Sequence, residues 1–259
     1  MASPSSPASA SAHPSGSMES AYHDLFRDVC PCVVLVQQVG RIDYFCIGSV
    51  IQSEDNSTFI LTQSSILDSF TSPTSLTVCF SDGHEQPASL VLRHDLLYIL
   101  RTSFHPRCKA LQLFEGQIKH SFAAAVAPDS SSSIYQILGS IVQKSAATSD
   151  GDELGRRLQT YDQSFTFVCQ YDDCGPNMQS RLISGPTFNM ESKALGIVIG
   201  DWEHKHWPGG EDGKTINLED YIKQGFDLKL CLAASHLEGL LGSMLGDPDW
   251  RKALKALGP

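Results

Sequence analysis

Ser180-Arg181-Leu182-Ile183-Ser184-Gly185-Pro186-Thr187-Phe188-Asn189 runs directly into Met190-Glu191-Ser192-Lys193-Ala194-Leu195-Gly196-Ile197-Val198-Ile199-Gly200. A Gly-Pro corner leads into an apolar strand, 186–189. A polar turn at 191–193 follows, then a second apolar strand, 195–200. Glycine supplies backbone freedom at the corner and proline fixes its φ. The polar turn between two β-rich runs marks a hairpin. Strand pairing is therefore the organising interaction of this stretch.

The same grammar extends in both directions. Upstream, the runs 32–36, 44–51, 59–62, 76–80, 88–92 and 96–100 are short and rich in β-branched, apolar or aromatic residues, with polar or glycine turns between them. Leu76, Val78 and Phe80 alternate with Thr77 and Cys79, the period of a half-buried strand. Leu111-Gln112-Leu113-Phe114 is expected to close this first cluster. A second cluster comprises 134–139, 140–143, 165–171, the opening hairpin and 228–232. Residues 19–28, with Leu25 and Phe26, suit a short helix. Leu237, Leu240, Leu241 and Met244 recur at helical spacing, and Asp247-Pro248 reads as the start of a further helix leading to Trp250, Leu254 and Leu257.

No strand-helix alternation points to a parallel sheet. The expected fold is all-β: two packed barrels of six-stranded type with a C-terminal helix. The expected divisions are a Ser/Ala/Pro tail at 1–18, a first barrel at 19–120, a second at 121–232 and a helical segment at 233–259. The junction is placed within 115–133, where Asp129 to Ser133 forms a Ser-rich connector.

Charge and composition exclude several function classes. The formal net charge is −10 and the Lys and Arg residues form no stripe, which disfavours nucleic acid and anionic membrane as partners. No apolar run reaches the length of a transmembrane helix. Residues 1–17 lack the charged start and apolar middle of a secretory signal, so an intracellular location, cytoplasmic or nuclear, is expected. A plastid transit peptide shares the Ser-rich, acid-poor composition but is Arg-rich, and the first Lys or Arg here is Arg27, so a plastid is the lesser expectation. Met18 is an alternative start.

The eight cysteines fall mostly in apolar runs and read as reduced core thiols, and Cys30-Pro31-Cys32 is too short for a CxxC motif. His204 and His206 lack further metal ligands nearby in sequence, so their stretch reads as a solvated loop. Neither metal nor cofactor is expected.

The element order over roughly residues 30 to 245 resembles the two-barrel trypsin-like serine protease fold of the PA clan, and within it the Deg/HtrA-type proteases and their plant relatives. Gly48-Ser49-Val50-Ile51 is similar to that family's Gly-Ser-Gly-Phe-Val/Ile strand, and 59–67 to its Ile-Leu-Thr-x-x-His-Val-Val. His94-Asp95-Leu96-Leu97-Tyr98-Ile99-Leu100 matches the strand that begins with the triad aspartate, and the opening stretch resembles the nucleophile hairpin. Too few residues follow Leu245 in this sequence for the PDZ module of Deg-type relatives.

The resemblance puts Ser65 in the histidine slot, Asp95 in the aspartate slot and Ile183 in the nucleophile slot. A serine nucleophile needs an imidazole to take its proton and a carboxylate to orient that imidazole. Only the carboxylate remains, so hydrolysis by this route is expected to be absent. Arg181 and Ser184 stand in the family's glycine slots flanking the nucleophile, which predicts that the oxyanion turn collapses. Asp95 has two readings, a retained buried carboxylate and a turn cap. The alternative to a dead site is a serine endopeptidase using Ser184, with His94 or His105 as its base. The leading expectation is a pseudoprotease whose inter-barrel cleft binds a protein or peptide by strand addition.

Overall fold

The computed structural model describes residues 15–39, 41–54, 56–63, 76–119, 121–128, 134–144, 164–169, 182–201 and 226–257. No helix among them is long and apolar enough to cross a membrane.

Among the described residues twelve strands form two closed antiparallel barrels. The first contains β1 (Val33–Gln38), β2 (Arg41–Glu54), β3 (Ser57–Gln63), β4 (Leu76–Phe80), β5 (Glu85–Arg93) and β6 (Leu97–Ser103), ordered β1-β2-β3-β6-β5-β4. The second contains β7 (Ser121–Pro128), β8 (Ile134–Lys144), β9 (Ser164–Cys169), β10 (Pro186–Phe188), β11 (Ala194–Asp201) and β12 (Asp227–Ala233), ordered β10-β11-β12-β9-β8-β7. Helix α1 (Ser15–Val29) precedes the barrels, and α2 (Ala234–Leu245) and α3 (Trp250–Ala256) follow them. This is the all-β two-barrel architecture with a C-terminal helix that the strand spacing implies.

Alternation along each strand explains why the first barrel reads as nearly continuous apolar runs. Val34, Val36, Cys46, Val50, Ile60, Val78, Phe80, Tyr98 and Leu100 pack together as one cluster. The residues of opposite parity, Ile47, Ile51, Phe59, Leu61, Leu97 and Ile99, join a larger core that takes in Ala123–Val126, Phe165, Phe167, Phe188 and Ile197 of the second barrel. Successive side chains on a strand point to opposite faces, so both faces of β2, β3 and β6 are buried. Leu25 and Val29 of α1 sit in the shared core one helical turn apart, as do Trp250 and Leu254 of α3.

Several sequence expectations are corrected. Leu111–Phe114 does not close the first barrel as a strand. It crosses between barrels: the Leu111 N–H donates to Val50 O (2.7 Å), the Ala194 N–H to Gln112 O (2.8 Å) and the Phe114 N–H to Ala194 O (2.9 Å). β7 starts the second barrel at Ser121, where the division at 120/121 places it, although the sequence reading has no strand there. β7 is Ser-Phe-Ala-Ala-Ala-Val-Ala-Pro, and alanine carries little strand preference. Ala123, Ala124 and Ala125 are buried, the last two facing β10 in register. The two runs 134–139 and 140–143 are one strand. α1 begins at Ser15, inside the segment read as tail. α3 is capped by Asp249, which accepts from the Lys252 N–H (3.2 Å), and not by Asp247.

Candidate functional site

β3 ends at Gln63, and the β3–β6 register runs from Ser57 opposite Ser103 to Gln63 opposite Leu97. Asp95 lies two residues before Leu97, so it stands at the Gln63 end of this pair. The Ile183-Ser184-Gly185 corner reaches the same end from the second barrel. Ser65 and Arg181 lie outside the described residues. The fold therefore brings Asp95 and the Ile183–Gly185 corner to the same end of the first barrel, with Gln63 between them in register and hydrogen bonding.

Gln63 has the same strand parity as Phe59 and Leu61 and so faces the second barrel. Its backbone N–H donates to Ser184 Oγ at 2.8 Å, and its Nε2 donates to Ile199 O at 2.9 Å. Its Oε1 is buried without a hydrogen-bond partner. The sequence reading passed over this residue. The available signal was a polar side chain at a position whose strand neighbours of like parity are apolar.

Ser184 is 2% exposed and has φ +73°, a left-handed backbone that non-glycine residues rarely adopt. Arg181, the other half of the expected collapse, lies outside the described residues. The serine takes up the glycine geometry, and its hydroxyl fills a role that glycine has no atom for. The Ser184 N–H donates to Val198 O (2.8 Å), the Gly185 N–H to Leu182 O (2.8 Å) and the Val198 N–H to Gly185 O (2.9 Å). A Cβ on Gly185 would press on Leu182 O, Ile47 Cδ1 and Val126 O, so the corner threads between both barrels. Ile183 is half-buried and Leu182 fully buried.

Asp95 is exposed in the bend before β6, which removes the reading of a retained buried carboxylate. In the same bend His94 Nδ1 accepts the Leu96 N–H (3.3 Å). His105 is buried, with Nε2 3.4 Å from Asp82 Oδ2, Nδ1 accepting the Arg107 N–H (3.3 Å), and its ring stacked on Phe80 at 4.3 Å. It follows Ser103 at the Ser57 end of the sheet pair, whereas Ser184 touches the Gln63 end. The intervening strand spans roughly 20 Å at about 3.3 Å per residue. His105 is thus too far away to serve Ser184 as a base.

Among the described residues no three His, Cys, Asp or Glu side chains converge to hold a metal ion. His204 and His206 lie outside them. Trp250 is buried in the shared core and packs rather than lining a rim.

No family model matches the chain, and no curated protein matches it. Solved structures do. Rv3671c protease from M. tuberculosis in its inactive form is 14% identical, with TM-score 0.58 over 91% of this chain and 98% of that one. Its active form is 16% identical, with TM-score 0.55 over 94% of each chain. An inactive serine-to-alanine mutant of the same protein is 15% identical, with TM-score 0.56 over 91% and 95%. At these identities the likeness shows the fold, which is the two-barrel trypsin-like one.

Proposed function

We propose that this chain is a trypsin-like protease homologue without hydrolytic activity, and that its inter-barrel cleft binds an extended segment of peptide or protein. The observation that carries the first half is the state of the corner. Ile183 in the nucleophile slot offers no lone pair or acidic proton. Ser184, the neighbouring hydroxyl, is buried with its oxygen accepting the Gln63 N–H. A nucleophile must be within reach of both a base and a substrate carbonyl. Of the two bases considered for Ser184, His105 sits at the far end of the sheet and the Nδ1 of His94 accepts from its own turn.

Support for the second half comes from the strand pattern. β10 has three residues and pairs with β11 only as far as Ile197, whereas β11 continues to Asp201. Among the described residues no strand covers the β10 side of β11 beyond that point. Such an edge is what an extended peptide joins through its backbone groups.

The test is reaction of the purified protein with a fluorophosphonate probe, followed by intact mass and peptide mapping, beside a casein cleavage assay. No adduct and no cleavage are expected. An adduct on Ser184 with turnover of casein would make the protein a serine hydrolase and end this reading.

A further inference from the structure

The side of β11 that no described strand covers beyond Ile197 is not fully open. Its register against β12 skips Ile199, with Val198 opposite Cys231 and Gly200 opposite Leu230. A bulge of this kind re-aims the local backbone groups. The Ile199 carbonyl faces the first barrel, where Gln63 Nε2 donates to it at 2.9 Å. One step earlier, Ser184 and Gly185 already satisfy the N–H and C=O of Val198. Ile199 O is therefore the first acceptor on this edge beyond the corner, and a side chain from the opposite barrel holds it. The amide doing so is only half satisfied, since its Oε1 is buried and unpartnered.

Resting on the peptide-binding reading above, we infer that the Gln63 carboxamide is an internal latch that occupies the strand-addition edge at Ile199, and that an extended peptide must displace it to dock. Three features make displacement feasible. The latch is a single side-chain hydrogen bond, so a peptide N–H reproduces it at Ile199 O with similar geometry. The released amide regains partners for both its nitrogen and its oxygen, from the peptide or from water, and ends the penalty of an orphaned buried acceptor. The anchor of Gln63 to the corner is separate, because it runs from the backbone N–H to Ser184 Oγ, so the side chain can turn away while the corner stays pinned. A ligand meeting a site that is open for only part of the time binds more weakly by that fraction. Gln63 thus sets the affinity of the cleft without being part of a catalytic apparatus.

The test titrates fluorescein-labelled, reduced and carboxymethylated casein, an unfolded polypeptide, against the native chain and three variants by fluorescence anisotropy. Gln63→Met keeps the side-chain length without a donor, and Gln63→Asn is too short to reach Ile199 O. Both are expected to bind about tenfold more tightly than the native chain, the equivalent of one hydrogen bond no longer competed for. Asp249→Ala loosens the remote cap of α3 and is expected to leave affinity unchanged, which separates an opened latch from a generally weakened fold. Unchanged or weaker binding by both Gln63 variants, with the native chain binding, would refute the latch and leave the peptide-binding reading intact. Absence of binding by the native chain and every variant would overturn the peptide-binding reading and the latch together. Tightening by Asp249→Ala equal to that of the Gln63 variants would also refute the latch.

Discussion

A hydroxymethyl group at position 184 does two opposed things. It places a non-glycine residue at φ +73°, which costs about 1 kcal/mol relative to glycine. It also provides the acceptor for the buried Gln63 N–H. Leaving a buried donor unpaired costs about 1–3 kcal/mol, so the hydrogen bond outweighs the strain. Ser184→Ala keeps the strain and loses the acceptor, and is expected to destabilise the fold by about 1–3 kcal/mol. Ser184→Gly loses the acceptor but relieves the strain, so it is expected to fall between the two by roughly 1 kcal/mol. Urea denaturation of the three proteins checks the order. A glycine variant more stable than the native chain would mean that Ser184 is merely strained and that its hydrogen bond contributes nothing.

At the scale of elements, glycines mark where strands come too close for a side chain. A Cβ on Gly196 of β11 would collide with the Leu232 carbonyl oxygen of β12 and press on the Phe165 ring. Backbone cannot swing aside as a side-chain tip can, so Gly196→Ala is expected to cost about 3 kcal/mol, the upper end for overpacking. Gly239 lies in the interior of α2 with nothing near its missing Cβ. There alanine removes only backbone freedom from the unfolded chain, and Gly239→Ala is expected to stabilise by roughly 0.5–1 kcal/mol. Thermal melts of the pair, moving in opposite directions, test whether sheet closure and not glycine content governs the second barrel. Elements also show where sequence patterns lose their force. The strands of the first barrel were legible because they are β-branched and punctuated by polar turns. β7 was not, because Ala123, Ala124 and Ala125 are chosen for their small size against neighbouring strands, a requirement that local preference does not carry.

The whole molecule behaves as two barrels around one shared core, tied further by the crossing segment 111–114 and by α3, whose Lys255 pairs with Glu54 and whose C-terminal Leu257 carbonyl accepts from Arg101 (3.0 Å). Burial within this unit pushes the Cys32 and Cys46 thiols from an ordinary 9.0 up to about 12, with Lys109 and Thr62 respectively pulling back in part. Cys231 is also raised by its burial. Below pH 9 the thiols are protonated in both folded and unfolded chains, and stability does not depend on them. Between about pH 9 and 12 the unfolded chain releases protons that the folded one retains, so stability falls as pH rises, by about 1.4 kcal/mol per pH unit for each such group. Urea midpoints measured from pH 8 to 11 are expected to decline, and Cys46→Ala is expected to flatten the slope by one group's share. An identical slope in the variant would show that Cys46 ionises alike in both states.

The sequence alone was enough for the architecture, since short apolar runs with polar turns and no helix between them leave few alternatives to packed antiparallel barrels. It also fixed Ile183, and not a serine, at the third residue before Pro186. What depended on distance in space was not readable there. The exposure of Asp95, the separation of His105 from the corner, the left-handed backbone that Ser184 tolerates and the reach of Gln63 across to Ile199 all join residues far apart in the chain. Local preference carries no term for the partner that a side chain meets after folding, so only the packed barrels decide which hydroxyl is buried, which carbonyl is held, and by what.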